Sequence, residues 1–108
     1  MSASRPTTVS LLLISQEEQR RIDIALTPRE RLMLLLLIAR PGEFVRDEEL
    51  LGAAYGLFEA DVNPGALHED IARLRAKLAE AIGHDPIVSA GNCGHRICGV
   101  RLWPGADV

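Results

Sequence analysis

The sequence predicts an α+β domain: an N-terminal antiparallel ribbon, three helices and a C-terminal β-hairpin. Three observations carry that prediction. Ile22, Ile24 and Leu26 alternate with Arg21, Asp23 and Ala25, the period of a half-buried strand. The run "LTPRE", starting at Leu26, carries the start signature of a helix. Leu67, Ile71, Leu74 and Leu78 recur at i, i+4, i+7 and i+11. At about 100° per residue that spacing draws one narrow apolar stripe down a helix.

Met1 to Thr8 is small, polar and proline-containing, and is expected to fray. "TVSLLLIS" and "RRIDIAL" then form the ribbon, with the polar "SQEEQ" as their turn. Thr27 can cap the first helix, Pro28 fits its first turn, and Glu30 completes a capping box. That helix runs through "RLMLLLLIAR" and stops near Arg40 to Gly42. A second helix, "DEELLGAAYG", opens on carboxylates that suit a positive helix end. "LFEADVNPG" is a loop with a Pro-Gly break, and "PGALHEDIARLRAKL" is the third helix, ended by "GHDP". "IVSAGNCGHRICGVRL" reads as two strands around Gly91 to Gly94. The domain is expected over residues 9–103, with 104–108 as a tail.

The 108 residues suffice for one domain with one modest core. The chain is 47% hydrophobic and 25% charged, and its few aromatics imply an aliphatic core. A net charge of −3 and a pI near 5.6 argue against a generally basic surface while leaving room for a local basic patch. The longest apolar run, Leu32 to Ala39, is far shorter than the roughly 20 residues that span a bilayer. No membrane contact is expected. With two cysteines and no export signal at the N-terminus, a reducing cytoplasm is the expected location.

The order of elements and four landmark motifs resemble a winged helix-turn-helix domain, specifically the OmpR/PhoB-type output domain of bacterial response regulators. "LTPRE…LLLLIARPGEFVRDEELLGAAYG" is similar to that family's run from LTPKE through NPG to VWG. "LHEDIARLRAKL" is similar to its VDVHIRRLRKKL, and "PIVSAGNCGHRI" to its PIRTVRGVGYRF. The likeness runs from Ile24 to Leu102; the leading strands fit in pattern. It implies that the third helix enters the major groove of double-stranded DNA and that the hairpin is a wing. The receiver domain that usually precedes such a module is absent, so a stand-alone effector domain is expected.

The departures from the family bear on DNA contact. The family's wing Arg corresponds to Gly91, and an Arg near the start of the third helix to Gly65. Of its paired arginines the first is Ala72 and the second Arg73; Arg75 is kept. Its His before the central Ile is Asp70, an apolar contact residue is Glu69, and the loop Trp is Tyr55. Opposite the apolar stripe lie Glu69, Ala72, Arg73, Ala76 and Glu80. A carboxylate facing phosphates is repulsive, although Glu can accept from cytosine N4. The resemblance therefore implies DNA contact through Arg73, Arg75, Lys77, Tyr55 and Arg96, with Glu69 on the same face and phosphate contacts weakened.

The first helix departs as well. Leu32, Leu35 and Ala39 stand where the family keeps polar residues, and Arg31 where a core Phe is common. Either the helix is rotated, with Leu32 in the place of the Phe, or an apolar stripe is left for a second copy or a protein partner. The second option makes a homodimer through this helix or the leading sheet the expectation. It also supports an alternative function: an adaptor that binds another regulator or RNA polymerase and has lost most DNA binding.

Other chemistry is weaker. Cys93, His95 and Cys98 match no strong zinc spacing, so no metal is expected and Cys98 reads as a small core residue. No phosphate-binding glycine motif appears, hence no cofactor. The paired carboxylates Glu17-Glu18 and Glu48-Glu49 read as solvated charge, and His68 as a solvated helix flank or a pH-sensitive contact. With no nucleophile and base in view, an enzyme is not expected. Trp103 is expected to pack the last strand against the sheet.

Overall fold

A computed structural model describes residues 7–14, 19–55 and 64–104. Strand β1 (Thr7–Ile14) pairs antiparallel with β2 (Gln19–Leu26), from Thr7↔Leu26 to Ile14↔Gln19. Helices α1 (Pro28–Ala39), α2 (Asp47–Tyr55) and α3 (Pro64–Ile82) follow. Strands β3 (Ile87–Ala90) and β4 (Gly94–Ile97) form the wing, joined by a short 3-10 turn at Gly91–Cys93. A last strand, β5 (Val100–Leu102), leaves the wing and pairs with β1, giving a sheet ordered β2-β1-β5.

Two details differ from the sequence reading. The first strand begins at Thr7, inside the stretch expected to fray. The C-terminal segment holds three strands rather than two. Gly99 causes the difference: its φ of 75° breaks the strand, and its carbonyl accepts from Ile14 N at 2.8 Å. The chain thereby turns out of the wing onto the edge of β1. Trp103 N then donates to Ser10 O at 3.1 Å, and the Arg21 guanidinium sits 5.3 Å from the centre of the half-buried Trp103 ring.

The α1 start matches its signature. Thr27 Oγ1 accepts from Glu30 N, and Glu30 Oε1 accepts from Thr27 N at 2.9 Å. This box fixes the phase of the helix. Glu30 faces inward, and Met33, Leu34 and Leu37 follow it at helical spacing into the core. Leu32 is therefore left 39% exposed, Ala39 is exposed and Leu35 is half-buried. The rotation that would bury Leu32 does not occur.

The α3 stripe is buried as its spacing requires: Leu67, Ile71, Leu74 and Leu78, extended by Ile82. It meets the α1 residues, Ile24 and Leu26 of β2, and Val9 and Leu11 of β1 in one aliphatic core. The wing is fastened to the α1–α2 connection by Val45 N to His95 O at 2.7 Å and His95 N to Val45 O at 2.9 Å. The chains meet closely there. Gly94 has φ 104°, and a Cβ on it would lie 2.1 Å from Val45 O. Both cysteines are free and exposed, so Cys98 is not a core residue. Its neighbour Ile97 ends β4 in the inward position, and Cys98 follows it outside the strand, exposed, with its N–H donating to Pro86 O at 3.2 Å.

Candidate nucleic-acid interface

Because the stripe at 67, 71, 74, 78 and 82 is buried, α3 must present the opposite face. His68, Glu69, Ala72, Arg73, Ala76 and Glu80 are all exposed. The wing stands beside this face. Its contact with α3 runs through Arg75, whose three nitrogens are all bonded within the chain. Nε reaches Asp85 Oδ2 at 2.6 Å, Nη1 reaches Ser89 Oγ at 2.7 Å, and Nη2 reaches Ile87 O at 3.1 Å. Arg75 therefore pins the wing to the helix.

Its two basic neighbours are also engaged. Lys77 Nζ lies 2.6 Å from Glu30 Oε1, so its charge is turned toward the start of α1. Arg73 Nη2 donates to Asp70 Oδ1, while Asp70 Oδ2 lies 3.5 Å from Arg29 Nη1. The side chains of Arg73, Lys77 and Arg75 are 59%, 37% and 33% exposed. Arg73 is thus the most open of the three. The surface between α1 and α3 is a cleft of about 390 Å³ lined by Thr27, Pro28, Arg29, Glu30, Asp70, Arg73 and Lys77.

Asp70 corrects one expectation. It is not a charge set against phosphates but a buried carboxylate flanking the apolar stripe, held by two arginines. The signal was present in the i, i+3 spacing to Arg73. Glu69, by contrast, is exposed on the outward face as expected. Arg96 lies half-buried with its guanidinium 4.9 Å from the centre of the Phe44 ring, and its Nε is buried without a hydrogen-bond partner. Tyr55 closes α2, but its side chain lies outside the described residues.

One network was not anticipated. Asp47, at the start of α2, faces His95 Nε2 at 3.0 Å and His68 Nε2 at 3.6 Å. His95 Nδ1 lies 2.6 Å from Ser89 Oγ, which also accepts from Arg75. A neutral His95 satisfies every group: Nε2–H donates to Asp47, and Nδ1 accepts from Ser89. Burial holds the His95 pKa below its ordinary value, against the opposing pull of Asp47, while Arg75 and His68 add to the depression. Beside it His68, Ile71, Ala72, Arg75 and His95 line a cleft of about 400 Å³. Local sequence could not reveal this network, because Asp47 and His95 are 48 positions apart.

Among the described residues no group of three or more His, Cys, Asp or Glu side chains could hold a metal, and no helix is long and apolar enough to cross a membrane.

The arrangement of helix face and wing is matched in sequence. The family model for "Transcriptional regulatory protein, C terminal" matches residues 19–97. The chain belongs to this family, the OmpR/PhoB-type DNA-binding domains.

As a Transcriptional regulatory protein C-terminal domain, it has relatives in flagellar regulation. It is 37% identical over 76 residues to the flagellar transcriptional regulator FtcR of Brucella abortus (strain 2308), and equally to that of Brucella suis biovar 1 (strain 1330). The match covers 70% of this chain and 34% of each relative, so the chain spans about a third of the length of these curated relatives. Solved winged-helix domains share the fold. The AdeR DNA-binding domain, in complex with an intercistronic region, superposes with a TM-score of 0.64 at 20% identity, covering 82% of this chain and 85% of that one. The C-terminal domain of the nisin resistance regulator NsrR gives 0.58 at 28% identity, covering 80% and 82%. The DNA-binding domain of E. coli CadC gives 0.61 at 19% identity, covering 85% and 83%. The chain is a winged-helix domain of DNA-binding transcriptional regulators, and the adaptor alternative is not favoured.

Proposed function

We propose that this domain binds double-stranded DNA with α3 in the major groove and the wing alongside, and that its phosphate contacts are few. The observation that carries this reading is the state of the α3 cations. Arg75 is committed to the wing and Lys77 to Glu30, while Arg73 stays open on the outward face. Gly65, Ala72 and Gly91 add no charge where the family resemblance implies arginine. Arg73 then contacts base edges, Arg75 positions the wing, and Glu69 repels phosphates or accepts from a cytosine amino group. Tyr55 and Arg96 are assigned to the phosphates with Lys77, whose contact stays weak while Glu30 holds it. Such a regulator acts in the cytoplasm, and its functional unit is the domain expected over residues 9–103 together with Thr7 and Thr8 of β1.

The test is fluorescence anisotropy of labelled duplex with the wild type and Arg73→Ala at low salt. Loss of specific binding by about 5- to 150-fold without unfolding is the expected result. Unchanged affinity would remove α3 from the DNA.

A homodimer through α1 is the accompanying proposal, supported by Leu32 at 39% exposure beside the half-buried Leu35 and the exposed Ala39. A second regulator or RNA polymerase is the other occupant that this stripe suits.

A further inference from the structure

The buried carboxylate of Asp70 has no place in the core it borders. Its side chain is 8% exposed, and a carboxylate so placed needs cationic partners. Two come from different helices: Arg73 of α3 and Arg29 of α1. Arg73 is itself open to solvent, and an open arginine ordinarily samples many rotamers. A bond from one Nη to a fixed carboxylate removes much of that freedom and aims the remaining N–H edge of the planar guanidinium. Ala72 and Ala76, small and exposed, leave that edge room to approach a groove floor.

We propose that Asp70 is a positioning residue that presents Arg73 as a fixed guanine-reading fork. The proposal rests on the DNA reading above. Guanine offers O6 and N7 as paired acceptors, whereas adenine sets an amino donor against the same fork. Since Arg75 and Lys77 are engaged elsewhere, base discrimination concentrates on Arg73. The carboxylate also keeps Arg73 from serving as a loose phosphate contact, so it raises selectivity at the expense of general affinity.

The experiment starts with selection of bound duplexes from a randomised 20-base-pair pool by the wild type. Anisotropy then compares the selected duplex, a scrambled duplex, and selected duplexes with each guanine in turn replaced by 7-deazaguanine, which keeps O6 and lacks N7. For the wild type, one 7-deazaguanine position should weaken binding about fivefold or more. Asp70→Asn should lower the ratio of selected to scrambled affinity about tenfold, abolish the 7-deazaguanine effect, and leave scrambled binding equal or stronger. A purely structural role would instead weaken both duplexes together. If Asp70→Asn fails to fold, Asp70→His, the residue the family resemblance implies there, decides: with Arg73 intact it should keep scrambled binding and lose the guanine effect, and a retained effect overturns the proposal. An Asp70→Asn protein that keeps the wild-type ratio overturns the proposal, as does wild-type indifference to 7-deazaguanine at every position. A wild type that binds no duplex overturns the DNA reading itself.

Discussion

Glu30 and Lys77 join α1 to α3 through a 2.6 Å ion pair whose acid is buried and also closes the α1 capping box. One carboxylate therefore sets the phase of one helix and anchors another. Glu30→Ala should remove the cap bond and leave Lys77 without its counter-ion, a loss of about 1–3 kcal/mol. Urea denaturation measures it, and an unchanged midpoint would show that the pair contributes nothing to folding.

Gly94 offers a sharper structural test. A Cβ there would overlap the Val45 carbonyl, so Gly94→Ala should cost about 3 kcal/mol or more. Gly42 is the control: it has φ 77° but nothing within 4 Å of an added Cβ, so Gly42→Ala should cost only about 1–2 kcal/mol. Equal thermal shifts for the two variants would mean that the wing does not press on Val45.

The pH dependence has a definite sign. His95 is held neutral, its folded pKa depressed below the ordinary 6.5. The unfolded chain then binds more protons on the acid side, so this contribution is fully present above about pH 6.5 and is lost as pH falls through the folded value. The carboxylates of Asp23, bonded by Ser10 and Arg21, and of Glu49, bonded by Arg46 N–H and Arg40, are depressed as well. Their contribution is lost only in the lower carboxylate range. Denaturation at pH 7.5 and 5.5 (conditions set about one unit either side of the free imidazole value) should separate wild type from His95→Gln, the wild type losing more on acidification.

Salt dependence measures the phosphate contacts. Each neutralised phosphate contributes about 0.9 to the log-log slope, so a shallow slope is expected for non-specific duplex. Glu69→Arg should strengthen such binding and steepen the slope by exchanging a repulsive carboxylate for a cation on the outward face. A wild-type slope on the order of six or more would show that cations held in intramolecular pairs are released to DNA.

The α1 stripe predicts self-association. Leu32→Glu, at an exposed position, should leave the melting temperature nearly unchanged while shifting micromolar protein to monomer in sedimentation. Wild-type protein that sediments as a monomer would end the dimer proposal.

What the sequence made legible follows from the range of each signal. The α3 stripe and the Thr27 box are local periodicities, so the buried face of α3, and the outward face left by it, were readable before any coordinates. The phase of α1 was harder to read: its apolar run fills every side of the helix, and although the Thr27 box was legible, the partner that Glu30 meets on turning inward, Lys77, lies 47 positions away. The third C-terminal strand was hidden because "ICGVRL" reads as one continuous strand unless Gly99 is known to take positive φ. Arginine roles were the least legible. Sequence assigns Arg73 and Arg75 a charge, but only the fold decides which carboxylate holds each.

The pairing of β5 with β1 brings the outer ends of the described domain together. Leu11 faces Leu102 and Leu13 faces Val100, so Thr7 and Leu102 leave the sheet from the same end. Tension applied between these two points would peel the strands apart one hydrogen bond at a time instead of shearing them all at once. The edge of the sheet would open first. Val100, buried in the core that β1 shares with α1 and α3, would leave with that strand, so the load would reach the helices through the side chain that β5 lends them.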